Sequence, residues 1–157
     1  MYIRKAKQED IPRILELLSQ IALLHHNGRP DLFRIETKYN AEELEEMLPD
    51  ESRPIFIAAG ENDEVLGYGF CVDQKKRESN SPEGVRTLYI DDICVDESCR
   101  GQHIGTAIYK AIVAYAKEHH FHNITLHVWD INPEGEKFYK ALGMKAICTT
   151  METLLED

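Results

Sequence analysis

Two features of this 157-residue sequence have the residue types and spacing to do chemistry. The first is Asp91-Asp92, adjacent carboxylates inside the otherwise apolar run Val85 to Val95. Carboxylates are rarely buried without a partner, so a pair within a strand is unusual on burial grounds. In a regular strand the two face opposite ways, and a bulge would exchange them. Either one caps or pairs structurally while the other meets solvent, or at least one serves a reaction. The second feature is the turn Arg100-Gly101-Gln102-His103-Ile104-Gly105-Thr106, which joins that run to an amphipathic helix. The helix stripe is Ile104, Ala107, Ile108, Ala111, Ile112 and Tyr115. The first N–H groups of a helix lack intrahelical partners and the macrodipole is positive there, so the turn is a candidate seat for a phosphate or pyrophosphate. Gly101 and Gly105 let the backbone approach closely.

Two common phosphate motifs fail here. A P-loop needs a lysine after its second glycine, whereas Gly105 is followed by Thr106; the dinucleotide fingerprint Gly-x-Gly-x-x-Gly is also missing. The turn instead resembles the coenzyme A signature Gln/Arg-x-x-Gly-x-Gly/Ala of the GNAT acetyltransferases, through Gln102, Gly105 and Ala107, preceded by Val95 and Arg100-Gly101. A second segment in register, Asn132-Pro133-Glu134-Gly135-Glu136-Lys137-Phe138-Tyr139-Lys140-Ala141-Leu142-Gly143-Met144, is similar to that family's Asn-x-x-Ala-x-x-Phe-Tyr-x-x-x-Gly-Phe. Departures are Gly135 for alanine, Met144 for phenylalanine, and His103 where glycine is frequent.

The resemblance implies an N-acetyltransferase moving an acetyl group from acetyl-CoA to a primary amine by direct attack in a ternary complex, with no metal. A catalytically silent acetyl-CoA-binding sensor or scaffold is the alternative, because both would hold the coenzyme at the Arg100 to Thr106 turn. It also implies that the strand containing Asp91 splays from its parallel neighbour, with pantetheine bonded to strand backbone at Cys94, Val95 and Asp96. Acetyl transfer needs a neutral amine, an oxyanion donor and a proton for the thiolate. Asp91 falls where some family members carry a glutamate base, with Asp92 beside it. A backbone N–H near Val95 is the expected oxyanion donor. Tyr139 is the candidate general acid, against the plain reading of an amphipathic core tyrosine. Asn132 is seven residues earlier, two helical turns away on the same face. Coenzyme contacts are therefore expected from Cys94, Val95, Arg100, Gly101, Gln102, His103, Ile104, Gly105, Thr106, Asn132 and Tyr139.

The remaining candidates are weaker. His25, His26, Arg29 and Phe33 occupy the polar stretch His25 to Phe33, which Gly28 and Pro30 mark as a loop. Family resemblance places that loop over the acceptor site, and the alternative is that it anchors a crossing between helices. His119, His120 and His122 read as a favoured positive helix C-terminus rather than a metal site. Trp129 reads as packing.

Composition sets bounds. Net charge is −10, from 28 acidic against 18 basic residues, which argues against nucleic acid. No apolar run is long enough for a membrane span, the charged N-terminus does not read as a signal peptide, and four cysteines without Cys-x-x-Cys spacing read as reduced thiols. A cytoplasmic protein is expected, and the resemblance allows a homodimer. Periodicity predicts a strand over 1–6, helices from about Gln8 to Leu24 and from Asn40 to Leu48, and a hairpin of 54–60 with 65–72. Gly67 and Gly69 suggest a bulge or close approach, and 73–84 reads as a mobile loop. There follow a strand 85–95, a helix from Ile104 to about His119, a strand 124–129, a helix 133–142 and a last strand 145–155. The expected fold is α/β and GNAT-like: one domain over 1–157, a central mixed sheet flanked by helices.

Overall fold

The computed structural model describes residues 1–74 and 85–155, which fall into two compact units divided between His127 and Val128. In the first, β1 (Tyr2–Lys5), β2 (Ile55–Ala59), β3 (Val65–Gln74), β4 (Thr87–Val95) and β5 (Asn123–Leu126) form one mixed sheet in chain order. β1 to β4 pair antiparallel, and β4 pairs β5 in parallel through the crossover helix α3 (Ile104–Glu118). Helices α1 (Ile11–Gly28) and α2 (Ala41–Met47) complete this unit.

Each sheet face buries its own apolar cluster. On one face Ile14, Leu17, Leu18 and Leu44 from α1 and α2 meet Ile57, Tyr68, Phe70 and Cys94. On the other, Ile104, Ile108 and Ile112 of α3 meet Phe56, Cys71, Leu88 and Ile90. Burial of each large aliphatic side chain contributes about 1.5–3 kcal/mol. The glycines of β3 mark close approach: a Cβ on Gly69 would lie 2.8 Å from Ile108 Cγ2, so α3 sits flush on this strand. α2 starts as expected, with Asn40 accepting from the Glu43 N–H and the Glu43 carboxylate accepting from the Asn40 N–H.

Three expectations are corrected. α1 begins after a 3-10 turn (Gln8–Asp10) and runs to Gly28, so His25 and His26 lie in its last turns rather than in a loop; the last turns of a helix accept polar side chains. β5 ends at Leu126, leaving Trp129 beyond the strand and 44% exposed. No strand forms among residues 145–155, where Ile147, Met151 and Leu155 are strongly exposed; β-propensity depends on context, and apolar content alone does not make a strand. Of the expected loop 73–84, Asp73 and Gln74 belong to β3 and residues 75–84 lie outside the described residues. Among the described residues no helix is long and apolar enough to cross a membrane.

The second unit contains α4 (Pro133–Ala141). The Asn132 side chain accepts from the Gly135 N–H at 3.0 Å, Pro133 needs no donor in the first turn, and Gly143 closes the end at φ +89°.

Candidate active site

The site is built around an irregularity in β4. Phe70 pairs Asp92 and Cys71 pairs Ile90, so Asp91 is one residue too many for its partner strand. The bulge resets the alternation. Leu88 and Ile90, then Ile93 and Val95, pack on the α3 face, while Asp92 and Cys94 stand opposite Phe70 and Tyr68 on the α1 and α2 face. Asp91 reaches that second face too, where Tyr39 bonds it. The two carboxylates thus neither face opposite ways nor exchange places; they share one face.

Each has a different environment. Asp91 Oδ2 accepts from the Tyr39 hydroxyl at 2.6 Å and Oδ1 from Lys38 Nζ at 2.6 Å. Asp92 Oδ2 accepts from the hydroxyl of fully buried Tyr68 at 2.7 Å. Although the Asp92 residue keeps some surface, its carboxyl is packed inward, and burial pushes its pKa up to about 6, with the Tyr68 hydrogen bond and the Lys38 charge opposing. Burial and the adjacent carboxylates raise both Tyr39 and Tyr68, so both phenols stay protonated donors. Next along the strand, Tyr89 Oη and His127 Nδ1 are 3.0 Å apart. Lys38, Tyr39, Tyr68 and His127 are thus site neighbours that sequence reading missed. For Tyr68 a signal existed, because it shares the period-2 face of Phe70. For Lys38 and Tyr39 none did, since their partner lies more than 50 positions away.

The expected acceptor residues are only partly brought to this face. His26 Nδ1 bonds the Phe33 carbonyl at 2.6 Å, and Arg29 caps α1 and grips Asp31 at 2.7 Å. These contacts fit the anchoring alternative. His25 stacks on Phe33 with centroids 5.0 Å apart; burial and the nearby Lys38 charge lower its pKa.

Coenzyme candidates follow β4. The β4–β5 ladder stops at Ile90 with Leu126, while β4 continues to Val95 in its ladder with β3. Among the described residues, those last positions have no ladder partner on the β5 side. Cys94 is buried, its thiol directed at the Leu17 carbonyl and pushed up to about 12 by burial, so packing occupies its side chain. Asp96 then accepts from the Ser98 N–H at 2.8 Å and pairs with Arg13, fixing the chain's exit from the sheet. Arg100 Nε donates to the Val95 carbonyl at 3.4 Å. Gly101 takes φ +79° and His103 takes φ +60°, a left-handed position where glycine is at home. The first intrahelical bond of α3 runs from the Ala107 N–H to the His103 carbonyl at 3.0 Å, leaving the N–H groups of Ile104, Gly105 and Thr106 ahead of it. Gln102 and His103 are exposed beside them. In the second unit, Asn132 Oδ1 serves as the cap of α4, which carries half-buried Tyr139 with its ring 5.0 Å from that of Phe138.

Residues 3–144 match the model of the acetyltransferase (GNAT) family. The chain belongs to that family. Its fold is that of a tetramutant of the BH1408 protein from Bacillus halodurans, at 31% identity and TM-score 0.92 over 99% of this chain and 100% of the other. An aminoglycoside acetyltransferase from an uncultured soil metagenomic sample superposes with TM-score 0.72 at 17% identity, over 98% of this chain and 95% of its own. Glucosamine-6-phosphate N-acetyltransferase from Arabidopsis thaliana gives 0.70 at 21%, over 98% and 97%. As a GNAT chain, this one carries the family's parallel strand pair in β4 and β5. On that frame stands the paired carboxylate at the bulge, bonded to Tyr39, Lys38 and Tyr68.

Proposed function

We propose that the protein is an N-acetyltransferase that moves the acetyl group of acetyl-CoA onto a primary amine by direct attack within a ternary complex. The observation that carries this reading is the β4 bulge, which sets Asp91 and Asp92 on one face just where the β4–β5 ladder ends. The backbone N–H groups from Gln102 to Thr106 would hold the coenzyme pyrophosphate, and the backbone of Cys94, Val95 and Asp96 the pantetheine. Asp91 is suited to receive the acceptor ammonium, since it already bonds one at Lys38. Asp92 is the better proton sink. Transfer from an amine of pKa about 10.4 to a carboxylate near 6 is uphill by roughly 6 kcal/mol, about 3 kcal/mol less than to an ordinary carboxylate. A backbone N–H near Val95 would face the oxyanion, and Tyr139, on the family motif, would protonate the departing thiolate.

Two of the structural neighbours are named for amine-bearing acceptors, the class proposed here. Thiol release from acetyl-CoA, measured over amines, polyamines, aminoglycosides and peptide N-termini, tests the reading. Acceptor-dependent release is expected with at least one class, and Gly105→Glu should abolish coenzyme binding. Tight acetyl-CoA binding with no release for any amine would instead make the protein a silent coenzyme-binding module.

A further inference from the structure

The α1–α2 connection brings an amine of the protein itself to the candidate acceptor position. Lys38 Nζ lies 2.6 Å from Asp91 Oδ1 and 3.5 Å from the Asp91 carbonyl, so it is held at the bulge by two oxygens of one residue. Tyr39, the next residue, holds the other carboxylate oxygen at 2.6 Å and packs its ring 5.4 Å from that of Phe70. Lys38 therefore rides on an anchored neighbour rather than on a free loop. Its side chain keeps 48% exposure while that of Asp91 keeps only 12%, so the ammonium sits at the mouth and the carboxylate inside. A primary alkylammonium on this carboxylate is chemically what an amine acceptor would present.

We infer that Lys38 is an internal acceptor: when acetyl-CoA is bound, its ε-amine takes the acetyl group and becomes an uncharged amide. This rests on the reading above that acetyl-CoA is the donor. The ammonium gives one proton to the carboxylate pair, the freed lone pair attacks the thioester carbon, the C–N bond forms and the C–S bond breaks. The second proton leaves the nitrogen as the amide forms, and the coenzyme departs as free thiol, so one lysine and one acetyl-CoA give one acetyl-lysine, one thiol and one proton. Acetylation removes the cation from Asp91 and frees that carboxylate for the ammonium of an outside acceptor. Lys38 is thus both an occupant of the site and a mark of its first turnover.

The chain contains its own reference. Lys7 is also paired to an aspartate, Asp63, and its side chain is 46% exposed, nearly the value for Lys38, but it lies outside the site. Lys110, exposed on α3, is a second reference. The full chain is incubated with acetyl-CoA alone, and acetylation of each lysine is followed by peptide mass spectrometry. Lys38 should react about 10²-fold faster than Lys7 or Lys110, the gain of a positioned base, with a rate constant independent of protein concentration. In Asp91→Asn a lysine that merely reacts by itself would not slow. A lysine served by Asp91 should slow at least tenfold, with Lys7 unchanged as the check on folding. Lys38→Arg keeps a cation on Asp91 without an acyl acceptor, and should erase the fast single-acetyl gain in intact mass. Equal rates at Lys38, Lys7 and Lys110, or no slowing in Asp91→Asn, overturn the inference. If outside amines are acetylated while Lys38 stays unmodified, the inference alone falls; if acetyl-CoA is consumed by neither, the proposed function falls with it.

Discussion

Asp63 and Asp92 are two carboxylates that the fold treats in opposite ways. Asp63, at the tip of the β2–β3 hairpin, accepts from the Tyr2 hydroxyl at 2.7 Å, from Arg4 Nε at 2.7 Å and from Lys7. These donors hold it well below the usual carboxylate range. The same Arg4 clasps buried Asp10 through both terminal nitrogens at 2.6 and 2.9 Å, tying β1 to the start of α1. Asp92 accepts from the neutral Tyr68 hydroxyl, and burial pushes its pKa up. One cluster has cations enough for its acids and reads as structure. The other leaves a carboxylate short of positive charge beside a half-open strand, which is how a site prepares for an incoming cation or proton.

The comparison can be broken by exchanging the two roles. Asp92→Asn should lower kcat/KM by about 10²–10⁴ with coenzyme affinity held within a few-fold, whereas Asp63→Asn should leave turnover per folded molecule unchanged. Similar losses in both variants would erase the distinction. Arg4→Ala should do the reverse, because it leaves Asp10 buried without its partner: a loss of about 3 kcal/mol in urea unfolding with normal kcat is expected. A smaller effect sharpens the same contrast. The Asp92 carboxyl titrates near 6 when folded and at 3.8 as a free side chain, so the folded state prefers it protonated. Its cost is absent below pH 3.8, grows between 3.8 and 6, and is complete above 6. Asp92→Asn should therefore stabilise the protein by about 3 kcal/mol at pH 7.5 and by almost nothing at pH 3.5. Equal stabilisation at both pH values would mean that packing, not charge, is the cause.

Much of the fold was legible in the sequence because it rests on local chemistry. The stripe Ile104, Ile108, Ile112 specified α3, and the reciprocal Asn40 and Glu43 bonds specified the start of α2. α4 was framed by Asn132, Pro133 and Gly143. What was not legible depends on pairing across the chain. The bulge exists only in the register of β4 against β3, so the sequence alone left open which faces Asp91 and Asp92 take. Lys38 and Tyr39 reach Asp91 only through the path of the α1–α2 connection. His25 and His26 were not legible because polarity alone does not separate a loop from the last turns of a helix, which accept polar residues readily. Residues 145–155 depart in the other direction, since apolar content alone does not make a strand.

The account turns on Asp92 being short of positive charge in the folded protein while Asp63 is oversupplied. Carbon-13 NMR of aspartate labelled at the side-chain carboxyl, titrated from pH 3 to 8, measures both in one sample, with Asp92→Asn and Asp63→Asn assigning the signals. The expected result is an Asp92 midpoint near 6 and an Asp63 signal that stays ionised throughout. An Asp92 midpoint at or below the ordinary value of about 3.9 would contradict it.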